Sequence, residues 1–348
     1  MNSVVSAIKG KRVALIGGAG FIGHNLALEL RRQGAEPHVI DSLQVNNLGA
    51  FSNASSDPNK ALYVQVIYER LNAMRDASTP LHIVDARDYH ALSRTLGDIK
   101  PEVIVQLAAI AHANRSNKDP YTTFDHSFRT LENALDIARS DGAHFIYFSS
   151  SMVYGNFNGE AVKEDRYCEP LGIYGVLKYS GEKLVIAYNQ VFNLPYTIIR
   201  PSALYGERCV SRRVGQAFIE NALRGIQLSV NGDGTDALDF TYISDLVQGL
   251  ILCMTKPEAR NQIFNLTFGD ARTINQMADI VKAQFPGIAV KYQPRDQLMP
   301  ERGTLSIDKA RRLLGYEPQW PMEEGFLRYI EWYKRLAAQH PEIFKSAS

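Results

Sequence analysis

Short, continuously apolar runs recur through the first two hundred residues, each separated from the next by a stretch of helical periodicity. The runs are RVALI (12–16), PHVID (37–41), LHIVD (81–85), EVIVQLAA (102–109), HFIYFSSS (144–151) and PYTIIR (195–200). Runs of this length read as strands buried on both faces. After the first run, Ile22, Leu26 and Leu30 fall on one face of a helix. Repeated strand–helix units predict an α/β fold with a parallel sheet covered on both sides, and ligands at the carboxyl ends of the strands. One connection breaks the rhythm. Residues 42–80 are rich in Asn, Ser and Asp around 46–59 and predict only a short helix near 61–74. Connections this long are usually functional or mobile.

Length changes the picture first: 348 residues exceed one ordinary core, so a large domain with a smaller lobe is expected. A formal net charge of +1 gives no basic footprint for nucleic acid. The three cysteines, Cys168, Cys209 and Cys253, are far apart, with no CxxC or Cys/His cluster. No metal site and no disulfide framework are therefore expected, and reduced thiols suit a cytoplasmic protein. No apolar run is long enough to span a bilayer, and the N-terminus lacks a signal-peptide pattern, so no membrane partner is expected.

Candidate chemistry starts at GGAGFIG. Gly17, Gly20 and Gly23 lie between a predicted strand and a predicted helix. Glycines there permit a tight turn, close approach to a pyrophosphate and close helix–strand packing, while the helix N-terminus offers N–H groups to the anion. Asp41 ends the next strand, about twenty residues on, where a carboxylate can accept from ribose hydroxyls. It would repel a 2′-phosphate, and Ser42 follows where an arginine would favour NADP, so NAD is the expected cofactor. The plainer alternative for Asp41 is a turn residue that ends a strand.

In LGIYGVLKYS (171–180), Tyr174 and Lys178 are four positions apart, one above the other on a helix. By itself the pair reads as a half-buried tyrosine beside a lysine with its ammonium in water. Next to a cation, the phenol becomes a candidate general acid or base. HFIYFSSSMVYG places serines at a strand's carboxyl end. With GGAGFIG, QLAAIAH, SSSMVYG, YGVLK, RPSALYG, DFTYISD and ARRLLGYEPQWPMEEGFLRYIEWY, the chain resembles the extended short-chain dehydrogenase/reductase family over essentially its whole length. It is most similar to the NAD-dependent nucleotide-sugar epimerases and dehydratases of the UDP-glucose 4-epimerase type.

The resemblance implies a Rossmann-type doubly wound sheet with a smaller mixed α/β substrate lobe. It divides the chain into a cofactor domain at 1–200, with 239–265 returning to it, and a lobe at 201–238 and 266–348. Ser150, Tyr174 and Lys178 become the catalytic set, with Ser149 and Ser151 as neighbouring alternatives for the serine. Tyr174 would take the hydroxyl proton; lowering a phenol from about 10 to neutrality needs roughly 4 kcal/mol. Lys178 and the cationic nicotinamide ring are the implied sources of that stabilisation. Gly17, Gly20, Phe21, Ile22, Gly23, Asp41, Asn46, Asp85, Ala86, Leu107, Ala108, Ala109 and Pro201 would contact NAD together with Tyr174 and Lys178.

Family dehydratases carry Asp and Glu after the catalytic serine, decarboxylases a Glu, and 3,5-epimerases a Cys. Here Ser151 and Met152 follow Ser150. What remains is epimerisation of a nucleotide-diphosphate sugar at C4, or net reduction or dehydrogenation with NAD(P)(H) turnover. Ser150, Ser151 and Met152 would line the sugar site. Arg208, Arg213 and Arg295 are the first candidates for the diphosphate, with Arg212 and Arg302 beside them. The chain departs from the family at Leu238, Ala203 and His126, where Arg, Asn and Asn are usual, which suggests a rearranged diphosphate grip. His112 and His126 are further acid/base candidates. Helices over 122–139 and 174–191 would pair across a homodimer, and polysaccharide biosynthesis is the pathway class implied.

Overall fold

A computed structural model describes residues 7–51, 57–111, 113–296 and 299–344. Six strands arise from the six apolar runs: β1 (Arg12–Ile16), β2 (Glu36–Asp41), β3 (Leu81–Ile83), β4 (Val103–Gln106), β5 (His144–Phe148) and β6 (Tyr196–Arg200). Four short strands off the main sheet follow: β7 (Leu204–Tyr205), β8 (Leu228–Asn231), β9 (Ala237–Leu238) and β10 (Thr241–Tyr242). Then β11 (Gln262–Asn265) returns to pair with β6. The seven-stranded sheet has the order β11-β6-β5-β4-β1-β2-β3, parallel throughout. Successive connections run outward from β1 in opposite directions, so a crevice opens beyond the carboxyl ends of β1 and β4.

Alternate residues of β1 feed opposite layers. Val13 and Leu15 pack with Leu26, Leu30 and Leu250. Ala14 and Ile16 pack with Leu92, Leu131 and Leu135 on the other side. That is why the runs are apolar at every position. The strands are shorter than the runs. β4 stops at Gln106 because the amides of Leu107 and Ala108 both turn back to the Ile16 carbonyl. β5 stops at Phe148, before the serines.

Of the helices expected from the sequence, one is found where it was placed and one is broken. The helix expected near 61–74 in the connection after β2 is present and runs over Lys60–Asp76, 17 residues. Its Leu62, Tyr63, Val66 and Ile67 pack with Phe218, Met277, Phe326 and Tyr329 of the chain's second half. The helix expected over 122–139 is broken into Pro120–Phe124, a π turn at Asp125–Arg129, and Thr130–Asp141. There Asp125 reaches sideways to Arg87, 2.8 Å away. Off the main sheet, β12 (Arg272–Thr273) pairs antiparallel with β9, and β13 (Val290–Gln293) pairs with β8.

The helix Gly172–Phe192 carries the Tyr174/Lys178 pair and lies against β5. A Cβ on Gly181 would sit 2.2 Å from the Tyr147 hydroxyl, so only glycine allows this approach. Beneath it Glu182 receives Arg200 Nε at 2.9 Å and Nη2 at 2.7 Å. The side chains are 1% and 3% exposed, and Glu182 also accepts from the Ser149 hydroxyl at 2.5 Å. Removing one member of such a pair leaves an uncompensated buried charge. Arg200→Met is therefore expected to destabilise the chain by about 3–5 kcal/mol in urea unfolding; a loss below about 1 kcal/mol would show the pair to be unimportant.

Candidate active site

The crevice beyond β1 and β4 is lined by Gly17, Gly20, Phe21, Ile22 and Gly23 on one side and by Leu107, Ala108 and Ala109 on another. Asp41 and Asn46 lie at one end, with Asp85 and Ala86. Gly17 has φ +79, and a Cβ there would meet the Ala108 amide at 2.5 Å. At Gly20 the nearest atom to an added Cβ is 3.4 Å away, so packing within the chain does not require glycine there. Asp41 braces the turn, accepting from the Ala19 amide at 3.0 Å and the Leu43 amide at 2.7 Å. Burial pushes its carboxyl up, against those bonds and Arg70. Asp85 is held in place by Arg87, which also bonds Asp125 of the π turn. An apolar floor, a turn that exposes amides at a helix N-terminus and a carboxylate for ribose fit a dinucleotide such as NAD.

A second cavity of about 450 Å³ adjoins this crevice and shares Ile22, Leu107 and Ala109 with it. Ser150, Ser151, Met152, Tyr174, Lys178 and Pro201 line it together. The three serines have different jobs. Ser149 is spent on Glu182 below the sheet. Ser150 caps the short 3-10 turn Ser151–Tyr154, accepting from the Met152 amide at 3.2 Å, and hydrogen-bonds Tyr174. Ser151 gives its amide to the Pro201 carbonyl.

Burial pushes the Tyr174 phenol up, opposed by Arg213, the Ser150 bond and Arg302. Lys178 is buried, its Nζ donating to the Phe148 carbonyl at 2.6 Å. Burial lowers its pKa from 10.5 to about 8, with Glu182 opposing. Arg213 and Arg302 are thus cations acting on the phenol that the Tyr/Lys spacing alone did not indicate.

Arg212, Arg213, Arg295 and Arg302 line the second cavity. Arg295 pairs with Asp236 at 3.0 Å. Burial lowers Arg302 to about 10, and its Nε has no partner among the described residues. Arg208 lies elsewhere: its Nε reaches His24 at 3.2 Å behind the glycine turn, and it lines neither cavity. The loop that sends it there holds Ala203, Arg208 and Arg212 at φ +37, +60 and +47. Left-handed backbone at three non-glycine positions directs these side chains against local preference. Leu238 also lines the second cavity. His126 faces the cofactor crevice, whereas His112 lies outside the described residues.

Sequence reasoning passed over Asn47 and Arg70. Buried Asn47 donates to the Ala19 carbonyl of the glycine turn at 3.2 Å. Arg70, on the helix Lys60–Asp76, lines the cofactor crevice. Adjacent asparagines at 46 and 47 were a legible signal; an arginine in a helix of ordinary composition was not.

Residues 13–267 match the family described as NAD dependent epimerase/dehydratase. A relative from Methanocaldococcus jannaschii, described as a putative UDP-glucose 4-epimerase, is 28% identical over 92% of this chain and 98% of its own. UDP-glucuronic acid decarboxylase 1 of Danio rerio is 28% identical over 93% of this chain and 73% of its own. Among solved structures, UDP-glucuronic acid 4-epimerase from Bacillus cereus, in complex with UDP-glucuronic acid and NAD, superposes with a TM-score of 0.80. That similarity covers 93% of this chain and 99% of the other, at 26% identity.

The depressed Lys178 carries a stability signature. Between its native value of about 8 and the ordinary 10.5, the unfolded chain binds more protons than the native one. Stability contributed by this group therefore rises with pH across that window, by about 3 kcal/mol in all. Urea unfolding at pH 7.5 and 10.5 should show that gain in the wild type relative to Lys178→Met. Parallel pH dependences in the two proteins would contradict it.

Proposed function

The chain belongs to the NAD dependent epimerase/dehydratase family, and on that footing we propose that it epimerises a nucleotide-diphosphate sugar at C4. The observation that carries the reading is the set of groups around Ser150 and Tyr174. Ser151 and Met152, which follow the catalytic serine, have no carboxylate for eliminating water. Among the described residues the acids of the sugar-side cavity are Asp236, paired with Arg295, and Asp296. Oxidation and re-reduction at one carbon needs neither.

When bound, NAD accepts the C4 hydride and gives it back; the chain's own residues handle protons and orientation. Tyr174, as phenolate, takes the C4 hydroxyl proton while Ser150 hydrogen-bonds the same oxygen. Lys178 leaves the Phe148 carbonyl or shares its three donors between that carbonyl and the nicotinamide ribose. Arg213 and Arg302 favour the phenolate electrostatically. After the keto-sugar turns its other face, Tyr174 returns the proton to oxygen. Arg212, Arg213, Arg295 and Arg302 supply donors for the diphosphate in forked geometry. A homodimer through Gly172–Phe192 is part of the proposal, supported by exposed Ile173, Val176, Val191 and Phe192 on that helix, near exposed Tyr121 and Phe124.

Purified protein incubated with UDP-glucose and, separately, UDP-glucuronic acid is expected to form the C4 epimer without added cofactor, read by NMR. Tyr174→Phe should lower kcat about 10²–10⁴-fold with nucleotide content unchanged. NADH accumulating in step with product, and no epimer, would replace this reading with a net dehydrogenase. Release of CO₂ from the glucuronate would replace it with a decarboxylase.

A further inference from the structure

Arg70 is 1% exposed and lines the cofactor crevice from the helix Lys60–Asp76. Its Nε donates to the Arg208 carbonyl at 2.7 Å, and its Nη1 has no partner among the described residues. The Arg208 guanidinium donates through Nε to His24 Nε2 at 3.2 Å. His24 in turn faces the Gly20 carbonyl with Nδ1 at 2.9 Å, which fixes Nδ1–H as the tautomer that satisfies both contacts. Burial, Arg70 and Arg208 all hold His24 well below its ordinary value, so the ring is neutral and adds no counter-charge.

Two guanidiniums therefore sit behind the first turn of the helix Phe21–Arg32. The carboxylate that acts on Arg70 is Asp41, whose oxygens are already engaged by the Ala19 and Leu43 amides. Burial lowers Arg70 only to about 10, so it stays a cation at neutral pH. A buried cation with an open donor, beside amides at a helix N-terminus, is a site for an anion.

We propose that Arg70 binds the pyrophosphate of the dinucleotide, making the helix Lys60–Asp76 a wall of the cofactor site. The proposal rests on NAD as the family's cofactor and not on which sugar is turned over. Through the Arg208 carbonyl the same guanidinium ties the cofactor to the loop that carries Arg212 and Arg213 into the sugar-side cavity.

The test is calorimetric titration of nucleotide-stripped protein with NAD, ADP, adenosine and NADP, beside thermal melting of the stripped protein. Arg70→Met is expected to weaken NAD and ADP at least tenfold each and leave adenosine unchanged. It should also leave the Tm of the stripped protein close to that of wild type, because removing a buried charge offsets the lost bond to the Arg208 carbonyl. Arg70→Lys keeps charge without the fork and should fall between wild type and Arg70→Met for ADP; it decides alone if Arg70→Met does not fold, a loss confined to adenosine-free contacts supporting the proposal. NAD and ADP bound within twofold of wild type would overturn it. So would equal losses for ADP and adenosine with a lower Tm, which mark a structural role, or a loss confined to NADP, which marks a 2′-phosphate contact.

Discussion

The arrangement of Ser150, Tyr174 and Lys178 hangs on one desolvated ion pair, Glu182 with Arg200. Glu182 belongs to the helix that carries Tyr174 and Lys178, and Arg200 to the end of β6. The shared Ser149 hydroxyl brings the end of β5 into the same knot, one residue from Ser150. Arg200 continues to the Glu164 carbonyl and lies over the Tyr154 ring. A pair so buried adds little net stability compared with apolar residues of the same shape. Its contribution is direction, since a bidentate fork admits one orientation of helix on sheet. Phenol, serine and lysine are thereby held to a common frame before any ligand arrives.

Polar contacts of the same kind run outward into the second half of the chain. Asn265, at the end of β11, accepts from Tyr154 and donates to the Val162 and Ser306 carbonyls. Asp239, raised by burial to about 6, collects the Leu305 and Gly269 amides and the Thr267 hydroxyl. Gln216 accepts from the amides of Ser211 and Arg212, and donates to Glu220, which also takes the hydroxyls of Tyr63 and Tyr333. The strained loop that aims Arg212 and Arg213 is thus pinned from below by a buried network.

What could be read from the sequence was whatever local pattern controls. Every main-sheet strand up to β6 coincides with an apolar run, and the glycine turn and the Tyr174/Lys178 spacing need only a strand before or a helix around them. The end of β4 was overestimated, because Leu107 differs from its neighbours in tertiary hydrogen bonding and not in polarity. Arg208 was read with Arg212 and Arg213 from proximity in sequence, but a left-handed φ at Arg208 sends its side chain to His24 instead. Neither the Glu182–Arg200 pair nor Arg70 has any signature in spacing, since their partners are brought near only by folding. The helix near 61–74 was legible, but its packing partners were not. Its apolar face meets residues from the far half of the chain, and its first turn follows a polar stretch that reads as loop.

That helix also alters what can be exchanged between relatives. Tyr63 bonds Glu220, Arg224 bonds Asn59, and Arg70 bonds the Arg208 backbone, three ties between an early connection and the second half of the chain. A chimera that swapped only the residues after β6 would leave these partners mismatched, although no covalent boundary looks disturbed. The unit of recombination is discontinuous: the connection between β2 and β3 has to travel with the residues after β6. In this chain the inheritable module and the contiguous segment are different things.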